Sequence, residues 1–372
     1  MTSVGRRFLI VAALVLVAVS GVLHAQSSAN DPNTVMQQAV AALDAQRFGD
    51  ALEAFTRVSK LVPNDPSACV GAGIAATRLG RNGEAETWFE RALQLEPRLT
   101  AASQWLGELL YRDGRVNEAI ATFESALKLA PRARAEALEG RLAEWRKESQ
   151  LQDRFYESRG AHFVVLFEGP ADESLARRVV ERLELAYWRI GGILTAYPSK
   201  PITVVLYTTE QFRDITRSPV WAAAAYDGRI RLPIKGALAD IDRLDRVLTH
   251  EFVHAVVAAL GGRNVPVWMN EGLAVTFEEG GSEQADAVLA RARTRPALTD
   301  LHGAFSGLPE EHARLAYAVS AVAVKRMIDL RGPYAAVGLL QDLARGADFA
   351  SAFHQRIGMR YEDFQAMVAR AA

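Results

Sequence analysis

Between residues 33 and 134 the chain repeats itself every 34 residues, and this spacing limits its possible folds more than any other feature. Pro63, Pro97 and Pro131 are one period apart; so are Phe55, Phe89 and Phe123, and Ala51, Ala85 and Ala119. Arg47, Arg81 and Arg115 keep the same register, with Gly80 and Gly114 just ahead of the last two. Each unit reads as a helix, a Gly/Arg turn, a second helix with small Ala where helices touch, and a proline stop. One unit cannot bury its own apolar stripe, so the three are expected to stack into an α-solenoid with a concave face. Residues 135–157 follow as a capping and linker helix, with Leu138, Leu142 and Trp145 turned to the stack and charged residues outward.

The chemistry lies in the other half, residues 158–372. His250, Glu251 and His254 form an HEFVH pentad, and Glu271 follows 17 residues after its last histidine. On a helix the two histidines leave the same face one turn apart. Leu244, Val247, Leu248, Phe252, Ala255, Val256 and Ala259 make that helix strongly apolar, and Gly261-Gly262 ends it. Titratable groups on such a helix need partners, because burial without one is costly. A second helix, about Val267 to Glu279, brings Glu271 within reach. Two imidazoles and a carboxylate suit one zinc ion per chain and leave its fourth position open to water. Glu251 stands beside the first histidine as the base for that water.

Two resemblances sharpen this reading. The 34-residue units resemble tetratricopeptide repeats; the third, with Leu106-Gly107 and Ala126, matches best and the first is degenerate. HEFVH followed by Pro-x-Trp-Met-Asn-Glu-Gly-Leu-Ala resembles the gluzincin metallopeptidases, and most closely their peptidase MA-like domains, from about His162 onward. The resemblance implies that His250, His254 and Glu271 bind Zn2+ and that Glu251 acts as base, then acid. It also implies a mainly helical α+β fold: the repeat solenoid, then a zincin-like domain with a small mixed β-sheet.

The same resemblance suggests an edge strand that pairs with substrate backbone. Arg229, Ile230, Arg231 and Leu232, after the Asp227-Gly228 turn, are the candidates, with an ordinary internal hairpin as the other reading. Several gluzincins use a tyrosine after the third ligand to stabilise the oxyanion. Tyr317 is either that donor or a core residue. Nothing between Tyr226 and Glu251 matches the Gly-x-Met-Glu-Asn segment of the aminopeptidases of this group, which favours cleavage inside a chain. The position four beyond Glu271, where an orienting acid would sit, is Val275, and Glu278 is the remaining candidate. His162, His302, His312 and His354 have no partner at ligand spacing.

The formal net charge of −1 offers no field for nucleic acid. Hydrophobic content of 49% and charged content of 23% are those of a globular protein. Arg6-Arg7, the apolar run from Phe8 and Leu23-His24-Ala25 read as a secretory signal over residues 1–25, hence a periplasmic or secreted protein. A membrane anchor formed by residues 8–23 is the alternative. Cys69 is the single cysteine, so no intrachain disulfide forms. The expected partners are a peptide or protein substrate and a segment docked in the repeat groove. The competing class is a repeat-based assembly or chaperone scaffold whose metallopeptidase-like domain binds peptides without cutting them.

Overall fold

The computed structural model describes residues 31–129, 132–216, 224–234, 240–262 and 264–371. The expected signal segment, 1–25, lies outside them. The chain is mainly helical, with one five-stranded mixed sheet.

The 34-residue period becomes three helix pairs: α1 (Pro32–Asp44) with α2 (Phe48–Leu61), α3 (Pro66–Arg78) with α4 (Asn82–Leu95), and α5 (Thr100–Arg112) with α6 (Val116–Leu129). Asp31 and Asp65 cap α1 and α3, and a proline follows each cap at the first helical position. The phenylalanine column is the packing unit. Phe89 lies against Gly73 and Phe123 against Gly107, where any Cβ would strike the ring, so the helices of a pair approach through Gly. The cap, α7 (Arg132–Gln152), closes the stack with Leu138, Leu142 and Trp145 buried, Trp145 stacked 4.8 Å from the Tyr111 ring.

The second half begins earlier than expected. Its first strand, β1 (Tyr156–Arg159), pairs antiparallel with β2 (Phe163–Phe167), so the boundary at 158 falls inside a strand. The burial pattern along β1 is almost wholly exposed, which is why no apolar alternation betrays it. After α8 (Glu173–Leu194), strand β3 (Ile202–Tyr207) runs parallel to β2. Short helix α9 (Thr209–Thr216) leads on to β4 (Ala225–Tyr226) and β5 (Ile230–Pro233), giving the order β1-β2-β3-β5-β4. Then come α10 (Ile241–Gly261), α11 (Val267–Phe277), α12 (Gly281–Arg291), α13 (Glu310–Arg331), α14 (Pro333–Ala344), α15 (Phe349–Ile357) and α16 (Tyr361–Ala371). One core joins the inner face of α8, the sheet and α10–α16.

The sheet order corrects one expectation. β5 is no edge: it is parallel to β3 on one side and antiparallel to β4 on the other. Arg229, Ile230, Arg231 and Leu232 are all buried. Two buried arginines demand partners, and the repeats supply them. Arg231 donates to the Glu148 carboxylate of α7 (2.6 Å), to the hydroxyls of Tyr111 and Tyr207 (both 3.0 Å) and to Asp227 (3.0 Å). Arg229 stands 3.1 Å from the same Glu148 oxygen and lies over the Tyr111 ring. Burial works to raise the Glu148 carboxyl, but the charges of Arg229 and Arg231 outweigh it and hold it at about 2.

The repeats therefore hold the second half of the chain through this cluster. At the α5–α7 end the β4–β5 hairpin meets the repeats, with Arg229 and Arg231 against Glu148 and Tyr111. Each helix pair meets that half at or next to its turn: Gly49 touches Gly346, Gly80 touches Gly262, and Arg112 touches Gly228. A Cβ on Gly80, whose φ is +75°, would come 2.7 Å from the Gly262 Cα, so only glycine permits that approach.

Candidate metal centre

His250 and His254 project from one face of α10, their rings 4.7 Å apart and nearly perpendicular. Asp240 caps the start of this helix and donors such as Arg189 tie down its surroundings. α11 crosses it and carries Glu271. At Gly272 that helix presses on α13, where a Cβ would collide with the Ser320 carbonyl. This contact draws α13 in and sets Tyr317 beside the histidines, its ring 6.2 Å from that of His250.

The three expected ligands converge. The Nε2 atoms of His250 and His254 each lie 3.4 Å from Glu271 Oε2, longer than a hydrogen bond. One ligand atom from each residue lies within 4.8 Å of the others. Bonds of 2.0–2.1 Å in a tetrahedron separate neighbouring ligands by about 3.4 Å, which the two His–Glu271 separations match, so the triad can hold a metal ion. Oε2 of Glu271 and Oε2 of Glu251 are buried without a hydrogen-bond partner. Orphaned carboxylate oxygens of this kind call for a missing partner.

The far sides of the rings are spoken for. His250 Nδ1 pairs with Glu278 at 2.7 Å and His254 Nδ1 with Asn270 Oδ1 at 3.0 Å. Each contact keeps Nδ1–H outward, so that the neutral ring presents a bare Nε2 inward, as a metal-binding imidazole requires. Glu278 thus takes the orienting place that Val275 leaves vacant. Arg189, from α8, donates to the Phe277 carbonyl at 3.3 Å and so holds the end of α11 where Glu278 begins.

The charges point the same way. Burial works against a charge on Glu271, but the cationic forms of His254 and His250 outweigh it and the carboxyl sits well below its usual range. Burial also opposes charge on His250, yet Glu271 and Glu278 raise it well above the ordinary imidazole value. Without an ion, then, protons supply the positive charge that three carboxylates demand; a divalent cation does so with both imidazoles neutral. Glu251 is raised, first by burial and only partly restrained by His254 and His250. Burial, then Glu271, Glu251 and Glu278, keep the Tyr317 phenol protonated far above neutrality.

These side chains open into a cavity of about 830 Å³. Ala225, Tyr226, Asp227 and Gly228 line it, so β4 is the edge strand beside the centre. Tyr317 lines it too, which places its ring at the site instead of deep in the core. Its opposite wall comes from the repeats: Arg78, Gly80, Asn82, Arg112 and Asp113. None of these five was expected at the site, because they lie far away in sequence. Of the other histidines, His162 pairs with Glu184 and His302 with the Tyr361 hydroxyl, while His312 and His354 are exposed.

The family model of the Peptidase MA superfamily matches residues 186–368. Residues 186–368 are a Peptidase MA superfamily domain. Two tetratricopeptide repeat models match residues 36–100 and 83–142, so the peptidase MA domain stands behind a tetratricopeptide array. No curated protein matches the chain. Among solved structures the chain is similar to the P58(IPK) TPR domain, at 14% identity and a TM-score of 0.33, over 92% of this chain and 99% of that one. A His/Glu triad able to hold a metal lies within the peptidase MA domain. Among the described residues no helix is long and apolar enough to cross a membrane.

Proposed function

We propose that this chain is a zinc-dependent metallopeptidase that cleaves within peptide chains. The observation that carries the proposal is the convergence of two oriented Nε2 atoms and a buried, unpartnered Glu271 oxygen beside an equally unpartnered Glu251. A zinc ion held by His250, His254 and Glu271 supplies a Lewis acid with one open position, able to polarise a carbonyl and acidify water. Glu251 takes the proton from the attacking water and passes it to the leaving nitrogen. Its buried carboxylate oxygen, free of any hydrogen bond, is able to take that proton and return it. Tyr317 donates its hydroxyl hydrogen bond to the carbonyl oxygen as charge gathers there. The β4 edge, Ala225–Tyr226, offers backbone pairing to an extended peptide, the role first expected of Arg229 to Leu232.

In the same proposal residues 1–25 direct export, 33–134 and their cap form the repeat module, and the sheet from β1 onward belongs to the catalytic unit. Metal analysis of purified protein beside a peptide-library digestion tests it. Glu251→Gln should keep one zinc per chain and cut nothing, since the amide holds the space but takes no proton. Glu271→Ala should lose the metal as well. If that variant keeps one zinc, Glu271 is not a ligand; if Glu251→Gln still cuts, the mechanism is wrong.

A further inference from the structure

The repeat wall of the cavity carries two arginines in equivalent places. Arg78 ends α3 and Arg112 ends α5, one 34-residue period apart, and both line the cavity that holds His250, Glu251 and Glu271. Neither reaches a carboxylate within 4.0 Å among the described residues. Arg78 is exposed, its guanidinium carbon 5.9 and 6.0 Å from the centroids of the Phe48 and Trp105 rings. Arg112 spends only its Nε, on the Glu108 carbonyl at 3.0 Å. Burial opposes its charge, with Glu108 and Asp227 offsetting only part of that cost. The nearby acids are engaged elsewhere: Glu108 with Arg141, Asp227 with Arg231, and Asp113 with Lys200. Asn82, in the same wall, has a buried Oδ1 without a partner.

Resting on the peptidase proposal, we infer that Arg78 and Arg112 bind a carboxylate of the peptide substrate, so that the repeats select acidic substrates at the cavity itself. A guanidinium offers two parallel N–H groups to a carboxylate, and a partly desolvated one gains most from it. Asn82 Oδ1 accepts a backbone N–H of the same peptide. The wall thereby becomes a specificity subsite, with selectivity set by the repeats and chemistry by the metal helix.

Binding is read apart from cleavage, in the full-length Glu251→Gln protein by fluorescence anisotropy. The probes are labelled decapeptide pools with a Glu fixed at each position in turn, against the same pools with Gln, all amidated at the C-terminus. A second pair of pools compares free C-terminal carboxylate with amide. Wild-type arginines should favour one carboxylate-bearing pool by about tenfold at low salt, more weakly at high salt. In Arg78→Gln and Arg112→Gln that ratio should fall towards one. A Glu position that gives the preference assigns the subsite to a side chain; a preference for the free acid assigns it to a chain end. Equal binding of every pair, no binding of any pool, or a preference that survives both substitutions overturns the inference. If the preference holds and is lost with the arginines but the native protein cuts none of these peptides, the subsite stands and the peptidase proposal fails. If peptides are cut with no carboxylate preference, the subsite alone fails.

Discussion

Glu148 is the residue whose loss should be felt on both sides of the molecule. Its carboxylate is 1% exposed and accepts hydrogen bonds from Tyr111, Tyr207, Gln152 and Arg231, with Arg229 alongside. Glu148→Ala leaves two buried guanidiniums with only Asp227 to answer them. Breaking a buried pair by removing one partner costs about 3–5 kcal/mol. A second route gives a similar figure: a carboxyl titrating at about 2 instead of 4.5 adds roughly 3 kcal/mol of stability at neutral pH. Because the folded value is depressed, that contribution is complete above the unfolded value, shrinks as pH falls from 4.5 and is gone below about 2. Urea unfolding of the full chain, followed by tryptophan fluorescence, reads it directly, since Trp145 stacks on Tyr111. At pH 7 the variant should lose about 3–4 kcal/mol, and the gap to wild type should narrow by about 2 kcal/mol at pH 3. A loss under about 1 kcal/mol, in the range of an exposed pair, or a gap indifferent to pH, would refute the claim that this cluster joins the two halves.

Glu278→Ala should keep the three ligands but free the His250 ring, weakening zinc binding about 10- to 100-fold in a chelator competition; unchanged affinity would leave Glu278 with no orienting role. Tyr317→Phe should lower kcat by about 10- to 1,000-fold while peptide affinity in the Glu251→Gln background stays nearly constant, because the hydroxyl acts on charge that develops in the transition state. Unaltered turnover would return Tyr317 to a packing role.

Local signals carried much of this far. The period of 34 marked three helix pairs because each repeat solves the same packing problem with the same residues, as Phe89 on Gly73 and Phe123 on Gly107 show. HEFVH and Glu271 could be read because candidate ligands on two consecutive helices leave their spacing in the sequence. Glu278 could be named only as a candidate, since its reach to His250 depends on how α11 ends. What the sequence hid was long-range. β1 is too exposed to alternate, and β5 looked like an edge because strand order lies in no local pattern. That Arg229 and Arg231 are buried is not legible locally, because their partners Glu148 and Tyr111 come from a separate helix stack. Arg78 and Arg112 share a column of the repeat and Asn82 none, but no wall residue carries a cavity signal, because the cavity exists only once the two halves meet.

The row of turns along the repeats has a consequence for how such a chain could vary. Gly49, Gly80 and Arg112 each meet a different fixed point, Gly346, Gly262 and Gly228, so the array is keyed to the other half like teeth to a rack. Inserting or deleting one unit between these teeth would shift every contact before it by a full step. The number of repeats between Gly49 and Gly228 is therefore not free to drift.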